Sequence, residues 1–249
     1  MLIGAGIALF VLLFVGGAQE DLIITHGKKY VKKVVEDKDR KGLILAEFKS
    51  IKKLQKSYQK MNKKNGKQLK ELIKNYQTDE ATFKSFFEKL AEDEKQVNDQ
   101  FFSHRLNIQK KLTQEEWDKV MDHIQKSIAK DEKTVGKSLK SFDKDLAKMK
   151  TKILDVLNED FRKDKAEAAI NEFIESVKKS GREIAEKGPD EKEKLLNKST
   201  SREELDQQGD ELISQWLELL NEVATLHNEL HDIATEEEWP KVSKWLNKI

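Results

Sequence analysis

The chain has 249 residues, 37% of them charged and 37% hydrophobic, with two prolines and no cysteine. That balance points to long helices and excludes a disulfide-stapled scaffold or a cysteine nucleophile. The formal net charge of +1 conceals an asymmetry, because residues 1–150 carry 32 Lys and Arg against 22 Asp and Glu while residues 151–249 carry 15 against 24.

The first segment, Met1 to Ala18, has no charged side chain and an apolar heart from Ile7 to Val15. As a helix it would rise about 27 Å, enough to cross a bilayer core as an anchor. Small residues at Gly16-Gly17-Ala18 equally offer a signal-peptidase site. Lys28, Lys29, Lys32 and Lys33 follow the run and no base precedes it, which favours a cytoplasmic body by the positive-inside rule. The small-residue site favours export, and export is the reading preferred here. Residues 19–39 read as a linker.

From residue 40 the apolar positions Ile44, Phe48, Ile51, Tyr58 and Met61 recur at helical spacing. The pattern predicts a helix that weakens at Asn65-Gly66 and leaves a second short piece over Leu69 to Tyr76. Gln77-Thr78-Asp79 supplies capping side chains for the next helix, whose stripe is Phe83, Phe86, Phe87, Leu90, Val97, Phe101 and Ile108. Thr113-Gln-Glu-Glu116 then forms a capping box. It opens a long connecting helix from Trp117 to Leu157, with an interruption expected near Lys130–Gly136.

Beyond it the apolar positions Ala166, Ala169, Ile170, Phe173, Val177 and Ile184 predict a helix that the Gly188-Pro189 step should end. Ser201-Arg-Glu-Glu204 is a second capping box, ahead of Leu205, Leu212, Trp216, Leu219, Leu220, Val223 and Leu230. The last helix carries Trp239, Val242, Trp245 and Leu246, and Pro240 should make it start late or bend.

One element recurs. Thr113-Gln-Glu-Glu-Trp117-Asp-Lys-Val120 reappears 122 positions on as Thr235-Glu-Glu-Glu-Trp239-Pro-Lys-Val242, and the same offset lays Arg40 on Arg162, Phe83 on Leu205 and Leu90 on Leu212. The fold class expected is therefore all-α: a tandem duplication of a helical-hairpin or bundle unit after an N-terminal apolar helix. Its repeats are expected at 40–135 and 136–249. The charge asymmetry has two readings. Either a basic half meets anionic lipid or nucleic acid, or the two halves attract each other, and the second is the simpler. Nucleic acid is disfavoured because the basic residues read as spread among acids, with no binding motif.

No catalytic residue and no cofactor site emerges, since no Gly-rich phosphate loop, Gly-x-Ser-x-Gly elbow or Glu-x-x-His pair is present. His227 and His231, four apart on one helix face, form a weak metal-ligand pair; the alternative is two partly exposed rim histidines. Glu229 points away from that pair and cannot serve it as a general base. Phe86, Phe87, Phe101, Phe102 and Trp245 are candidate partner-binding aromatics, although residues at such spacing also serve as core.

Leu112-Thr113-Gln114-Glu115-Glu116, after a long helix and an apparent export segment, resembles the Leu-Thr-x-x-Gln signature of the Spy and CpxP family of periplasmic helical proteins. The resemblance covers a few residues of each repeat, with Glu116 where the family has Gln. It implies a non-enzymatic envelope-stress protein acting as a chaperone or sensor accessory, with a homodimer as a further expectation. The function expected is an exported, non-enzymatic helical protein that binds protein partners or unfolded clients, held to the membrane by residues 1–18 if they are not cleaved. The alternative is a cytoplasm-facing, membrane-tethered scaffold with a basic, lipid-proximal half.

Overall fold

The computed structural model describes residues 18–248, with side chains over 26–126, 143–183 and 193–248 and at 186, 187 and 190. The body of the apolar N-terminal segment lies outside the described residues. Among the described residues seven helices make an all-α bundle, with no strand: α1 Ala18–Val34, α2 Lys38–Lys74, α3 Glu80–Lys111, α4 Gln114–Leu154, α5 Asp160–Leu196, α6 Arg202–Ile233 and α7 Trp239–Leu246. None of the described helices is long and apolar enough to cross a membrane.

Local chemistry sets the boundaries. The Asp37 carboxylate accepts the Arg40 N–H at 2.6 Å to start α2, and Asp79 accepts the Thr82 N–H at 2.8 Å to start α3. Both expected capping boxes are closed, Thr113 with Glu116 at α4 and Ser201 with Glu204 at α6. Thr235 and Glu238 make the same reciprocal bonds. There they close a turn, and α7 starts late, at Trp239, with Pro240 in its first turn, where a missing N–H costs no helical bond.

Helix boundaries repeat the 122-residue offset of the sequence: α2 with α5 and α3 with α6 coincide at both ends. Val31 and Val35 of the first half have their counterparts in Ile153 and Leu157, and all four are buried. The counterpart of α1 is thus the C-terminal part of α4. That 41-residue helix, about 60 Å long, packs on α1 at one end and on α5 and α7 at the other.

α3 and α6 run antiparallel through the middle, so Phe83 reaches His227 at one end while Arg202 reaches Asp99 and Ser103 at the other. α2 flanks α3, and α5 flanks α6. The apolar core forms two clusters. One surrounds Trp117, with Val31, Ile44, Phe48, Ile108, Val120 and Ile124. The other surrounds Trp239 and draws Leu69, Ile73, Phe83 and Phe87 from the first half of the chain together with Ile153, Ile170, Leu220 and Leu230 from the second.

Four expectations are corrected. Residues 19–39 are not a plain linker, because α1 forms there and lays Val31 and Val35 into the core. Asn65-Gly66 does not weaken α2, since Tyr58 on one side and Leu69 and Ile73 on the other are buried. That anchorage outweighs the roughly 1 kcal/mol that a helical glycine costs. α4 runs without interruption through Lys130–Gly136. α5 likewise continues through Gly188-Pro189 to Leu196. A proline there forfeits about 3 kcal/mol, but the helix is held by Ala166, Ala169, Ile170 and Phe173 before it and by tertiary donors at its far end.

Candidate interaction surfaces

The repeated Trp element builds two joints. In the first, the Arg40 guanidinium donates to both Glu116 oxygens at 3.0 and 2.7 Å, and Glu116 also accepts the Thr113 N–H at 2.9 Å. In the second, Arg162 donates to both oxygens of Glu238 and to the Ile233 carbonyl at 2.8 Å, while Glu238 accepts the Thr235 N–H at 2.9 Å. The Arg162 bond holds the Glu238 carboxyl below the usual range. Glu116 therefore closes a cap and Glu238 a turn, and each at once anchors the start of a long helix.

The adjacent tryptophans reach across the molecule. Trp117 Nε1 donates to the Leu196 carbonyl at 2.8 Å and Trp239 Nε1 to the Lys74 carbonyl at 3.0 Å. Lys74 and Leu196 are the last residues of α2 and α5, whose final carbonyls have no partner within their own helix. Each half thus supplies a donor to the C-terminal end of the other half's long helix.

Arg105 and His227 occupy equivalent positions beside these donors. Arg105 is buried, donates to the Leu195 and Asn197 carbonyls at 3.0 and 2.6 Å, and stacks over the Trp117 ring; its desolvation lowers its pKa to about 10. His227 lies fully buried with its ring 4.8 Å from both Phe83 and Trp239, and burial lowers its pKa.

That placement corrects the expectation of a partly exposed rim position for His227. His231 does lie at the rim, its ring against Tyr76 and its Nδ1 3.3 Å from Asp232. The two rings stack 6.5 Å apart. Nδ1 of His227 faces Asn228, and no cluster of three or more His, Asp or Glu side chains able to hold a metal occurs among the described residues.

The candidate aromatics divide in two. Phe87 and Phe102 are 2% and 6% exposed and offer no surface to a partner. Phe86, Phe101 and Trp245 are half-buried, with Lys248 Nζ 3.5 Å from the Trp245 ring centroid. Adjacent positions are 100° apart round a helix, so one phenylalanine of each pair takes the core and the other its flank. Among the described residues, the large apolar side chains left exposed are Leu43 near the start of α2 and Phe161 at the start of α5, 57% and 66% exposed.

Between the two apolar clusters lies a polar layer that the sequence did not reveal. Tyr58 donates to Glu94 Oε1 at 2.5 Å, both residues being buried, and Glu94 Oε2 has no hydrogen-bond partner. Burial raises the Glu94 pKa to about 7. In the sequence Glu94 appears only as a break in an apolar stripe, which signals an odd position without showing that it faces inward. Comparison with protein-family models, curated proteins and solved structures finds no match.

Proposed function

We propose that this protein is a non-enzymatic helical scaffold of the cell envelope, a tandem duplication of one helical-hairpin unit, which presents the outer faces of its long helices to protein partners or unfolded clients. The reciprocal joints support this reading best. They engage the Glu and Arg side chains of each repeat in fastening its own helices, and Trp117, Trp239 and the buried His227 in holding the two halves together. What remains for recognition is helical surface, including Phe161, Leu43 and the half-buried Phe86, Phe101 and Trp245. The likeness to the Spy and CpxP signature points the same way. The full chain should slow aggregation of a reduced test client at stoichiometric ratio and lose that effect in Phe161→Ser with Trp245→Ala; no effect at tenfold excess would remove the client-binding reading.

A second reading, a membrane-tethered scaffold with a lipid-proximal basic half, has its own support. The excess charge of the halves is little used between them: among the described residues the ion pairs joining 1–150 to 151–249 are Lys95–Asp210, Lys150–Glu167 and Arg202–Asp99, and the last takes its acid from the basic half. Glu236→Cys on the exposed α6–α7 turn, treated with an impermeant thiol reagent on intact cells, separates the two. Labelling places the body outside the cytoplasm, and protection until lysis places it inside.

A further inference from the structure

The basic excess of the first half is concentrated on one helix. α2 carries thirteen Lys and Arg against three Asp and Glu, whereas its counterpart α5 carries nine against ten. Between Phe48 and Lys70 there are nine lysines and no acid. This corrects the expectation that the basic residues are spread among acids.

The nine occupy one face. Each has another three or four positions along, as in Lys53, Lys56, Lys60, Lys63 and Lys67, and together they fall within about 120° of the helix circumference. The buried positions Ile51, Gln55, Tyr58, Asn65 and Leu69 lie on the opposite side. All nine are exposed, and none forms an ion pair among the described residues. From Lys49 to Lys70 the stripe is about 32 Å long.

The fold does not require it. At the 122-residue offset, Lys49, Lys53, Lys64 and Lys67 correspond to Asn171, Glu175, Glu186 and Pro189, on a helix with the same boundaries and the same role. Like charges at this spacing repel where a Glu–Lys pair would attract, so the stripe works against helix stability. A stripe continuous in one half, kept in its counterpart only at Lys178, Arg182 and Lys192, and unfavourable to the helix calls for a partner.

We infer that the lysine face of α2 docks flat on an anionic phospholipid surface; this rests on the membrane-held reading above. The composition of the face chooses lipid over nucleic acid. Every base between Phe48 and Lys70 is lysine, a point charge without the guanidinium fork, and the two aromatic side chains of that stretch, Phe48 and Tyr58, are buried. A face without arginine or exposed aromatics has no means of reading or stacking bases but suits a plane of headgroups.

The hairpin geometry agrees. α1 lies antiparallel along α2 with Gly27 against the Phe48 ring. Ala18, the first described residue, about 14 Å upstream of Gly27, is therefore level with about Ser57, midway along the stripe.

The test compares partition of the full chain onto phosphatidylcholine vesicles and onto vesicles in which one-third of the lipid is phosphatidylglycerol. The apolar N-terminal run acts on both, so the anionic-to-neutral ratio isolates the stripe. Each lysine near an anionic surface contributes roughly fivefold. The quadruple variant Lys53→Gln, Lys56→Gln, Lys60→Gln, Lys67→Gln should therefore lower the ratio by roughly six-hundredfold, with binding to neutral vesicles and helicity unchanged. Lys178→Gln with Arg182→Gln, the counterparts of Lys56 and Lys60, should leave it unaltered. A ratio near one, or one indifferent to the quadruple change or to added salt, overturns the proposal. So does a duplex oligonucleotide that binds the chain more tightly than anionic vesicles and is lost in the same variant. Failure to bind neutral vesicles with the ratio intact counts against the tether and not against the stripe.

Discussion

Trp117 donates its indole N–H to the carbonyl of Leu196, the last residue of a helix in the other half of the chain, at 2.8 Å. Trp239 does the same for Lys74 at 3.0 Å. The exchange means that neither half can unfold without leaving the other's helix end uncapped. Trp117→Phe keeps the ring and removes the donor, so it should cost about 1–3 kcal/mol, the usual penalty for a buried carbonyl left alone. Unfolding followed by circular dichroism should remain a single transition shifted to lower temperature. If half of the helical signal melts early and half stays at the wild-type midpoint, the halves are independent domains.

Glu94 makes stability depend on pH across neutrality. Its folded pKa of about 7 exceeds the ordinary carboxylate value, so the folded chain retains a proton that the unfolded chain has released. The contribution is fully present below about pH 4.5. It is lost as pH rises from about 4.5 through 7, a loss of about 3 kcal/mol by pH 8. Glu94→Gln keeps an acceptor for the Tyr58 hydroxyl and removes the titration. Urea midpoints of this variant should exceed wild type at pH 8 and converge with it at pH 5; parallel profiles would show that Glu94 ionises freely in the fold.

The lysine face should reveal its internal repulsion. Each of its lysines has another three or four positions along, and like pairs at that spacing cost a few tenths of a kcal/mol apiece. Replacing Lys53, Lys56, Lys60 and Lys67 by Gln should raise stability by roughly 1–2 kcal/mol at low ionic strength. The gain should disappear in strong salt, where the Debye length falls to about 3 Å. A stability increase that salt does not erase would come from helix propensity alone.

The extent to which sequence disclosed this structure follows from the range of the interactions. The helices from residue 40 onward, the caps at Thr113 and Ser201 and the late start at Pro240 depend on residues within a turn of one another and were legible, whereas α1 was not. The joints were half legible: the offset pairs Arg40 with Arg162 and Glu116 with Glu238, but only the fold shows that each arginine meets its glutamate 76 positions away. The orientation of Glu94 and the crossing of the tryptophans were not legible, because nothing local distinguishes a buried carboxylate from a break in a stripe. Helix punctuation misled at Gly66 and Gly188-Pro189 because propensity is a small term beside buried anchors on both sides.

Two glycines inside helices should respond to alanine with opposite sign. At Gly66 of α2 an added Cβ meets nothing within 4 Å, so Gly66→Ala should gain most of the roughly 1 kcal/mol by which alanine exceeds glycine in a helix. At Gly209 of α6 the Cβ would meet the Phe102 ring at 3.1 Å and the Asn98 amide at 3.3 Å. Phe102 is buried and cannot swing away, so Gly209→Ala should lower stability despite the better propensity. Equal shifts in the two melts would mean that α3 and α6 do not approach as closely as described.

Pro189 tests whether α5 is continuous in solution. The helix runs from Asp160 to Leu196, yet residue 189 has no N–H to donate to the carbonyl of Ala185. If the helix is unbroken there, Pro189→Ala restores one bond in place and should stabilise by about 2–3 kcal/mol. Hydrogen exchange should slow for amides on both sides, from Lys187 to Leu195, since they belong to one cooperative unit whose far end Arg105 and Trp117 hold. A helix that breaks at Gly188 predicts the contrary: little gain in stability, and fast exchange on the C-terminal side that alanine does not slow. The stability measurement and the exchange pattern must agree, because a proline merely tolerated in a turn would leave both unchanged.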